Sequence, residues 1–261
     1  MKLKRIFAVI LRILYHFRHS LDRAIDAFYW PLVDLLLWGL TSLYFSSLSP
    51  ETTGALKIIV AGILFWIIIF RSQYEVSGNL LMELWDRNLV NLFVSPLMFR
   101  EWVCALVLVG IVQSLLSLSF ASLIAFLLYK VNIFIFGFHL IPFIILLAMT
   151  GWWLGFIISS FVLRFGTRIQ AFAWTLVWVI SPFSAIYFPV SVLPDWAQIV
   201  SKFVPASYVF EGAREFMRTG VVNWQGLEIS FVLNLIYIII AFMIMEKSFK
   251  AILNNGLVRL Y

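Results

Sequence analysis

Long apolar runs separated by short polar segments dominate this chain. A membrane-spanning helix needs about 20 mostly apolar residues. Six runs approach that length, at residues 28–46, 55–70, 102–128, 140–163, 171–190 and 227–245. The pattern therefore predicts an all-α membrane protein with six transmembrane helices, which together form one membrane domain over residues 27–261.

The first run contains a proline and a carboxylate. Pro31 suits the first turn of a helix, because it has no N–H to donate, and we expect the first span to begin near it. Asp34 follows one turn later and lies well inside the apolar run. A helix N-terminus close by would stabilise its charge, whereas the alternative is a role facing the translocation path or a partner subunit.

Residues 1–26 have the pattern of an amphipathic helix. At 100° per residue Arg5 and Arg12 share one stripe, and Leu3 and Ile10 lie opposite. Helices of this kind lie in the membrane interface, so we expect this one on the cytoplasmic surface. The alternative is a cytoplasmic extension of the first span.

Composition and charge agree with a membrane location. The chain is 63% hydrophobic and 12% charged, whereas soluble domains have roughly 45–50% apolar and about 25% charged residues. Most of the 19 Lys and Arg residues fall in segments on the side of the two termini. Because cytoplasmic loops carry the excess of basic residues, we expect both termini in the cytoplasm and the protein in the inner cell membrane. The net charge of +6 then reflects topology and membrane lipids, not nucleic acid.

A polar segment follows the second run. Residues 79–93 are too charged to span, and Glu83, Asp86 and Arg87 fall on one helical face, with Trp85 on another. We interpret this segment as an inner helix whose polar face binds a soluble partner. A surface helix that rests on lipid is the alternative.

A second amphipathic segment, 192–220, precedes the last run. Pro194 and Pro205 each introduce a short amphipathic helix, and neither helix is apolar enough to cross a bilayer. The pattern predicts a re-entrant helical hairpin that enters the outer leaflet and returns, which requires its backbone to be covered by protein.

This whole arrangement resembles the type-2 permeases of ATP-binding-cassette exporters. The most specific part is the hairpin motif Pro-x-x-x-Leu-Pro-x-Trp, followed by Pro-x-x-Tyr-x-x-Glu-x-x-Arg. Its residues here are Pro189, Leu193, Pro194, Trp196, Pro205, Tyr208, Glu211 and Arg214. The chain departs from the family pattern at Val204, where members often have Asn.

The resemblance implies a half-transporter. Two copies, most simply a homodimer, would bind two copies of a separate ATPase, and that partner would hold ATP and magnesium. By the same resemblance Glu83, Trp85, Asp86 and Arg87 would couple the permease to the ATPase, and the N-terminal helix would contact it too. The sequence itself contains no Gly-x-x-x-x-Gly-Lys-Ser/Thr loop. We therefore expect a transport subunit without a cofactor of its own, not an enzyme.

Other candidate residues lie in the spans. Trp174, Trp178 and Tyr187, together with Asp34, are candidates for a substrate path, because aromatic rings bind sugars and lipids by apolar contact; belts of aromatic residues at the interface are the alternative. The Gly-x-x-x-Gly step that begins at Gly151 permits close helix packing, which we expect within the chain. No set of metal ligands or catalytic residues converges in the sequence.

The function predicted from these features is export of an amphipathic substrate, such as a lipid-linked glycan, a lipid or a hydrophobic drug. An ion-driven secondary transporter or channel that works without an ATPase is the alternative. A membrane-embedded enzyme is disfavoured, because no cluster of carboxylate, histidine or cysteine residues converges within the spans.

Overall fold

The computed structural model describes residues 2–48 and 55–255, and the regular structure in these two ranges is helical. The α-helices are α1 (Leu3–His19), α2 (Leu21–Leu48), α3 (Ala55–Trp85), α4 (Leu89–Val94), α5 (Phe99–Tyr129), α6 (Leu140–Phe165), α7 (Phe172–Ile180), α8 (Asp195–Ser201), α9 (Pro205–Thr219) and α10 (Trp224–Asn255). Short 3-10 turns occupy Ile133–His139, Gly166–Ile169, Ser181–Phe183 and Val190–Val192. Met1, the predicted turn at 49–54 and the tail at 256–261 lie outside the described residues.

α3 lies at the centre of the molecule. In the described ranges five helices are long and apolar enough to cross a membrane, namely α2, α3, α5, α6 and α10. The most apolar stretch of α3 is 72% buried inside the protein, whereas those of α2 and α10 are 22% buried. The helices α2, α5, α6 and α7 pack on α3, and α10 packs on α6. The chain is thus an all-helical membrane protein built around one buried helix.

The run predicted as a fifth span, 171–190, contains a shorter helix than expected. α7 ends at Ile180 and continues only as the 3-10 turn Ser181–Phe183. Pro182 has no N–H with which to extend the α-helical ladder, and Ala185 has a left-handed φ of +59°. Within the described residues, five long apolar helices and one short one therefore replace the six similar spans that the sequence predicted.

α1 is a separate helix. Ser20 is extended, with φ −107° and ψ 109°, and divides α1 from α2, which contradicts the alternative of a continuous extension of the first span. α1 packs mainly on α5, and Ile6, Val9 and Ile13 are buried. Phe7 is 59% exposed, so an apolar face remains uncovered beside the packed one.

The single inner helix predicted over 79–93 is wrong in its boundaries. α3 extends to Trp85, and α4 has only six residues. Between them Arg87 has a left-handed φ of +53°, which ends the helical path. α3 has 31 residues and is therefore about 46 Å long, more than the roughly 30 Å of a hydrocarbon core. Its polar end is the continuation of a span.

Pro31 lies inside α2, because α2 begins at Leu21 and not near residue 28. Since proline has no N–H, the carbonyl of Ala27 has lost its helical donor. The hydroxyl of Ser117 in α5 donates to that carbonyl at 3.0 Å, which explains how the helix tolerates the proline. Asp34 is consequently far from a helix N-terminus, and the predicted stabilisation by the helix dipole is wrong.

α6 contacts α3 through small residues. A Cβ at Gly151 would lie 2.5 Å from the Cβ of Ser72 and 2.6 Å from the carbonyl oxygen of Ile69. A Cβ at Gly155 would lie 2.8 Å from the Cβ of Val76. The predicted packing of the Gly-x-x-x-Gly step within the chain is confirmed.

On its other side α6 is hydrogen-bonded to α10 through Asn234, which is fully buried. Its Oδ1 accepts from Thr150 Oγ1 at 3.0 Å and from Trp153 Nε1 at 3.2 Å. Its Nδ2 donates to the carbonyl of Leu146 at 3.1 Å. We refer to α3, α6 and α10 with these contacts as the packed seam.

Candidate functional site

A cavity of about 500 Å³ lies between α2, α3 and α7. We call it the aromatic cavity. Its lining residues come from all three helices: Asp26, Trp30, Pro31 and Asp34 from α2; Trp66, Ile67, Phe70 and Arg71 from α3; Trp174 and Trp178 from α7. Side chains four residues apart share one helical face, so each helix presents a repeated series to the same space. The structure thereby brings together Asp34, Trp174 and Trp178, which the sequence offered as separate candidates.

Aromatic rings of α3 and α7 form a continuous row along this cavity. Trp178 lies 5.7 Å from Trp66 and 6.3 Å from Phe70, measured between ring centroids. Trp174 lies 5.1 Å from Tyr74, which in turn stacks on Phe70 at 6.2 Å. Such faces bind apolar groups, flat rings and, through their quadrupole, cations.

The charged groups of the cavity do not cancel. Arg71 is 2% exposed, and its Nη1 lies 3.7 Å from Asp26 Oδ2. Its guanidinium also lies over the ring of Tyr74, 5.7 Å from the centroid. Asp34 is half-buried, and no ion pair to it occurs among the described residues. With Arg71 matched by Asp26, the cavity carries one unmatched carboxylate.

Tyr187, the fourth residue predicted for a substrate path, lies beside the cavity and is not among its lining residues. Its ring stacks on Trp38 of α2, with centroids 4.5 Å apart. The neighbouring carbonyl of Ile186 would lie 2.6 Å from a Cβ at Gly62. The chain after α7 therefore lies directly on α3, and Tyr187 connects this segment to α2.

The sequence reasoning missed Asp26, Trp30, Trp66, Phe70 and Arg71. A signal was present, since Trp66 and Phe70 repeat the four-residue spacing of Trp174 and Trp178, as do Asp26, Trp30 and Asp34. What the sequence does not give is the arrangement of α2, α3 and α7 around one space.

The two hairpin helices begin where the prolines predicted, with Pro194 as the N-cap of α8 and Pro205 as the first residue of α9. Side chains of α9 satisfy carbonyls at the end of α8. Ser207 Oγ donates to the carbonyl of Ser201 at 2.7 Å, and Tyr208 Oη donates to that of Lys202 at 3.0 Å. Helix ends otherwise leave carbonyls without partners, so these bonds stabilise the sharp turn between α8 and α9.

Glu211 and Arg214 join α9 to the segment after α7. Arg214 Nη1 lies 3.0 Å from Glu211 Oε1, and Arg214 Nη2 donates to the carbonyl of Ala185 at 2.7 Å. Glu211 Oε1 also accepts from the backbone N–H of Val190 at 2.7 Å. Burial lowers the pKa of Arg214, while the charge of Glu211 opposes that shift. The pair fixes the position of the hairpin relative to α7.

The remaining motif residues lie in the connection before α9. The carbonyl of Pro189 accepts from Val192 N–H at 3.1 Å, and the carbonyl of Leu193 accepts from Gln198 Nε2 at 2.8 Å. Trp196 is 62% exposed and meets Phe183 edge to face at 5.9 Å. These residues shape the turn into α8 and do not reach the aromatic cavity.

The four predicted coupling residues lie at the polar end of α3, where Glu83 has different surroundings from the other three. Glu83 is turned toward α1, where it pairs with Arg12, whose Nη1 lies 3.5 Å from Glu83 Oε2. It also accepts from Asn88 Nδ2 at 2.7 Å. Glu83 therefore connects α3 to α1 by an ion pair, and its own side chain is 13% exposed.

Trp85, Asp86 and Arg87 are exposed at this end, and we call them the α3 end surface. Trp85 Nε1 donates to Gln170 Oε1 at 3.2 Å. Gln170 lies in the turn before α7, so the bond connects the end of α3 to the beginning of a cavity helix. Among the described residues no group of three His, Cys, Asp or Glu side chains is placed to hold a metal ion.

Comparison with known proteins extends this picture. The family profile described as "ABC-2 type transporter", a membrane domain, matches residues 9–217. No curated protein matches the chain. The matched region includes α2 to α8, most of α9 and all residues that line the aromatic cavity. The resemblance to type-2 permeases is thereby confirmed, and the chain belongs to the ABC-2 type transporter family as a membrane component of such a transporter.

Proposed function

We propose that this chain is the permease subunit of an exporter that moves an amphipathic substrate outward, driven by a separate ATPase. The substrate would be a lipid-linked glycan, a lipid or a hydrophobic compound. The observation that carries the proposal is the aromatic cavity, because it joins apolar walls to charged groups within helices that cross the membrane. Ionisable residues inside spans usually mark a transport path.

In the proposed topology α7 and the turn after it make a sixth, short crossing, and α8 with α9 form a re-entrant hairpin. The hydrogen bonds of Ser207, Tyr208 and Arg214 support this arrangement, since a hairpin in lipid needs its backbone satisfied by protein. Both termini would lie in the cytoplasm, and α1 would lie on the inner membrane surface with its apolar face in lipid.

This orientation places the cavity in the inner half of the membrane. α2 begins on the cytoplasmic side, so Asp26, Trp30 and Asp34 occupy its inner half, and α7 begins at the same side. A substrate would therefore enter from the cytoplasm or the inner leaflet, which supports export. Most of the apolar stretch of α2 is not buried inside the protein, so a second copy of the chain has room to pack on it beside the cavity.

The α3 end surface is the proposed docking site for the ATPase. Trp85, Asp86 and Arg87 are exposed there, and the bond from Trp85 to Gln170 connects docking to α7. ATP and magnesium would bind only in the partner. Glu83 would act through α1 by its pair with Arg12.

Co-purification tests this proposal. The chain is co-expressed with a candidate ABC ATPase from the same genome, and the ATPase retained on the tagged permease is quantified. We expect the triple variant Trp85→Ala, Asp86→Ala, Arg87→Ala to lose at least about 90% of the bound ATPase, since central contacts dominate such interfaces. The control is Glu228→Gln, which removes an exposed carboxylate near the beginning of α10. This variant should retain the bound ATPase.

Two results would contradict the proposal. One is equal ATPase binding by the triple variant and the control. The other is movement of a fluorescent lipid across proteoliposomes that contain the permease alone, without ATP, which would favour the ion-driven alternative.

A further inference from the structure

We propose that the aromatic cavity recognises the cationic part of its ligand, so that the substrate class is a hydrophobic organic cation such as a quaternary ammonium or phosphonium amphiphile. This inference rests on the proposed function, since it assigns the chemistry of the cavity through which transport would occur. It is carried by the unmatched carboxylate of Asp34 between the aromatic walls.

The charge balance of the cavity favours a cation over an anion. Two carboxylates, Asp26 and Asp34, and one guanidinium, Arg71, line the space. Arg71 and Asp26 lie 3.7 Å apart and compensate each other. An anionic ligand would have to compete with Asp26 for Arg71 and would meet the charge of Asp34. A cationic ligand finds Asp34 without an ion-pair partner in the described part of the chain.

The accessibility of the polar groups in the cavity also favours a cationic ligand. Nε and Nη1 of Arg71 and Nε1 of Trp66 are buried without hydrogen-bond partners, but protein atoms cover them and a ligand in the cavity does not reach them. The accessible groups include the half-buried Asp34 and the side chains of Trp30 and Trp178, which are 53% and 44% exposed. Asp34, the carboxylate without an ion-pair partner among the described residues, is thus open to a ligand between aromatic faces, whereas these three donor atoms are covered.

Aromatic walls strengthen this preference. An indole face attracts a cation within about 6 Å of its centroid, and the attraction is larger where water is excluded. Trp66, Trp174 and Trp178 line the cavity together with Trp30. A cation that carries apolar groups satisfies both features at once, because its substituents contact the rings while its charge approaches Asp34.

Equilibrium binding of two probes of nearly equal shape and opposite charge tests the proposal. Tetraphenylphosphonium is the cation and tetraphenylborate is the anion. The purified full-length permease, in detergent and without ATPase, is dialysed against each radiolabelled probe, and a detergent blank is subtracted. We expect saturable binding of the cation that weakens about tenfold in Asp34→Asn, since one charge interaction in a partly dry site is lost.

Three further variants separate charge from folding. Asp34→Glu keeps the charge and should retain cation binding. Arg71→Gln makes the cavity more negative, so the cation should bind at least as tightly as to the wild type. General damage to the structure would instead weaken binding. Glu228→Gln removes an exposed carboxylate that does not line the cavity and should have no effect. Each variant is first checked for monodisperse elution.

The proposal is overturned if the wild-type chain shows no saturable binding of tetraphenylphosphonium, or if Asp34→Asn binds it as well as the wild type. It is also overturned if tetraphenylborate binds more tightly and requires Arg71, which would assign an anionic lipid. Binding of a neutral alkyl glucoside that requires Trp178 but not Asp34 would assign a sugar instead. None of these results depends on the ATPase, so failure here and failure of co-purification are distinguishable.

Discussion

The aromatic cavity and the packed seam place opposite demands on the same helix. On the side of α6, α3 meets glycines at distances that exclude even a methyl group, and Asn234 bonds α6 to α10. On the side of α2 and α7, α3 meets large rings that enclose about 500 Å³ of space. One face of α3 is therefore closed by small residues and hydrogen bonds, and the other is held open by tryptophans.

This difference suggests a division of labour within one chain. Without water to drive association, membrane helices depend on close packing and interhelical hydrogen bonds, and the packed seam supplies both. Between α2 and α7 the described residues make few contacts, so we expect these helices to adjust around a ligand. Stability should therefore reside in the seam, and substrate recognition in the cavity.

The largest expected effect on the stability of the folded state comes from substitution of one of two tryptophans. Trp153 in the seam is 9% exposed, packs on Tyr237 at 5.1 Å and donates to Asn234, whereas Trp178 in the cavity is 44% exposed. Trp153→Ala should lower the stability of the folded state by about 3–5 kcal/mol. Trp178→Ala should lower it by about 1 kcal/mol, since it loses mainly ring contacts.

The measurement is the apparent melting temperature of each variant in one detergent, followed by binding of tetraphenylphosphonium to the variants that remain folded. Trp178→Ala should melt close to the wild type but bind the cation more weakly. Equal destabilisation by the two substitutions would refute the division between seam and cavity.

A smaller effect is expected from a single methyl group. Gly151→Ala places a Cβ 2.5 Å from the Cβ of Ser72 and 2.6 Å from the backbone oxygen of Ile69. Backbone cannot move aside cheaply, so overpacking should cost about 1–3 kcal/mol. Gly226→Ala is the control, because the nearest atom there, Asn223 Oδ1, lies at an ordinary 3.6 Å. If both variants melt at the wild-type temperature, α3 and α6 are not in the close contact described.

The two regions also differ in how far the sequence predicted them. The Gly-x-x-x-Gly step indicated the seam, because two glycines four residues apart lie on one helical face and let a second helix approach closely. For the cavity the sequence offered Asp34, Trp174 and Trp178 separately. Their convergence with Trp66 and Arg71 depends on how three helices pack, and no local pattern encodes that.

Helix boundaries were the weaker part of the prediction, for identifiable reasons. The sequence predicts a helix start near Pro31, but the Ser117 hydroxyl replaces the missing backbone bond and α2 begins ten residues before the proline. The polar face of residues 79–85 predicts a separate helix, yet these residues continue α3, and the chain turns at Arg87. A tertiary hydrogen bond explains why α2 continues through Pro31, and one residue in the left-handed conformation explains where the helical path after α3 ends.

The smallest expected effect isolates one hydrogen bond. Thr150 in the seam and Thr175 in the cavity helix α7 each donate to the carbonyl four residues earlier, at 3.1 Å and 3.0 Å. Only Thr150 also meets the side chain of a second helix, with its Oγ1 3.0 Å from Asn234 Oδ1. Thr→Val keeps the shape of the side chain and removes the hydroxyl.

Thr150→Val should therefore lower stability by about 0.6 kcal/mol, the average for a hydrogen bond between membrane helices, and Thr175→Val should leave it unchanged. Thr175→Val therefore serves as the control for loss of the local bond, and the difference between the two melting temperatures isolates the bond to Asn234. A double variant with Asn234→Leu adds the decisive control, because Thr150→Val should have little further effect once its partner is gone. An equal loss in both backgrounds would mean that the seam is stabilised by packing alone, and that its polar network contributes nothing to the contrast with the cavity.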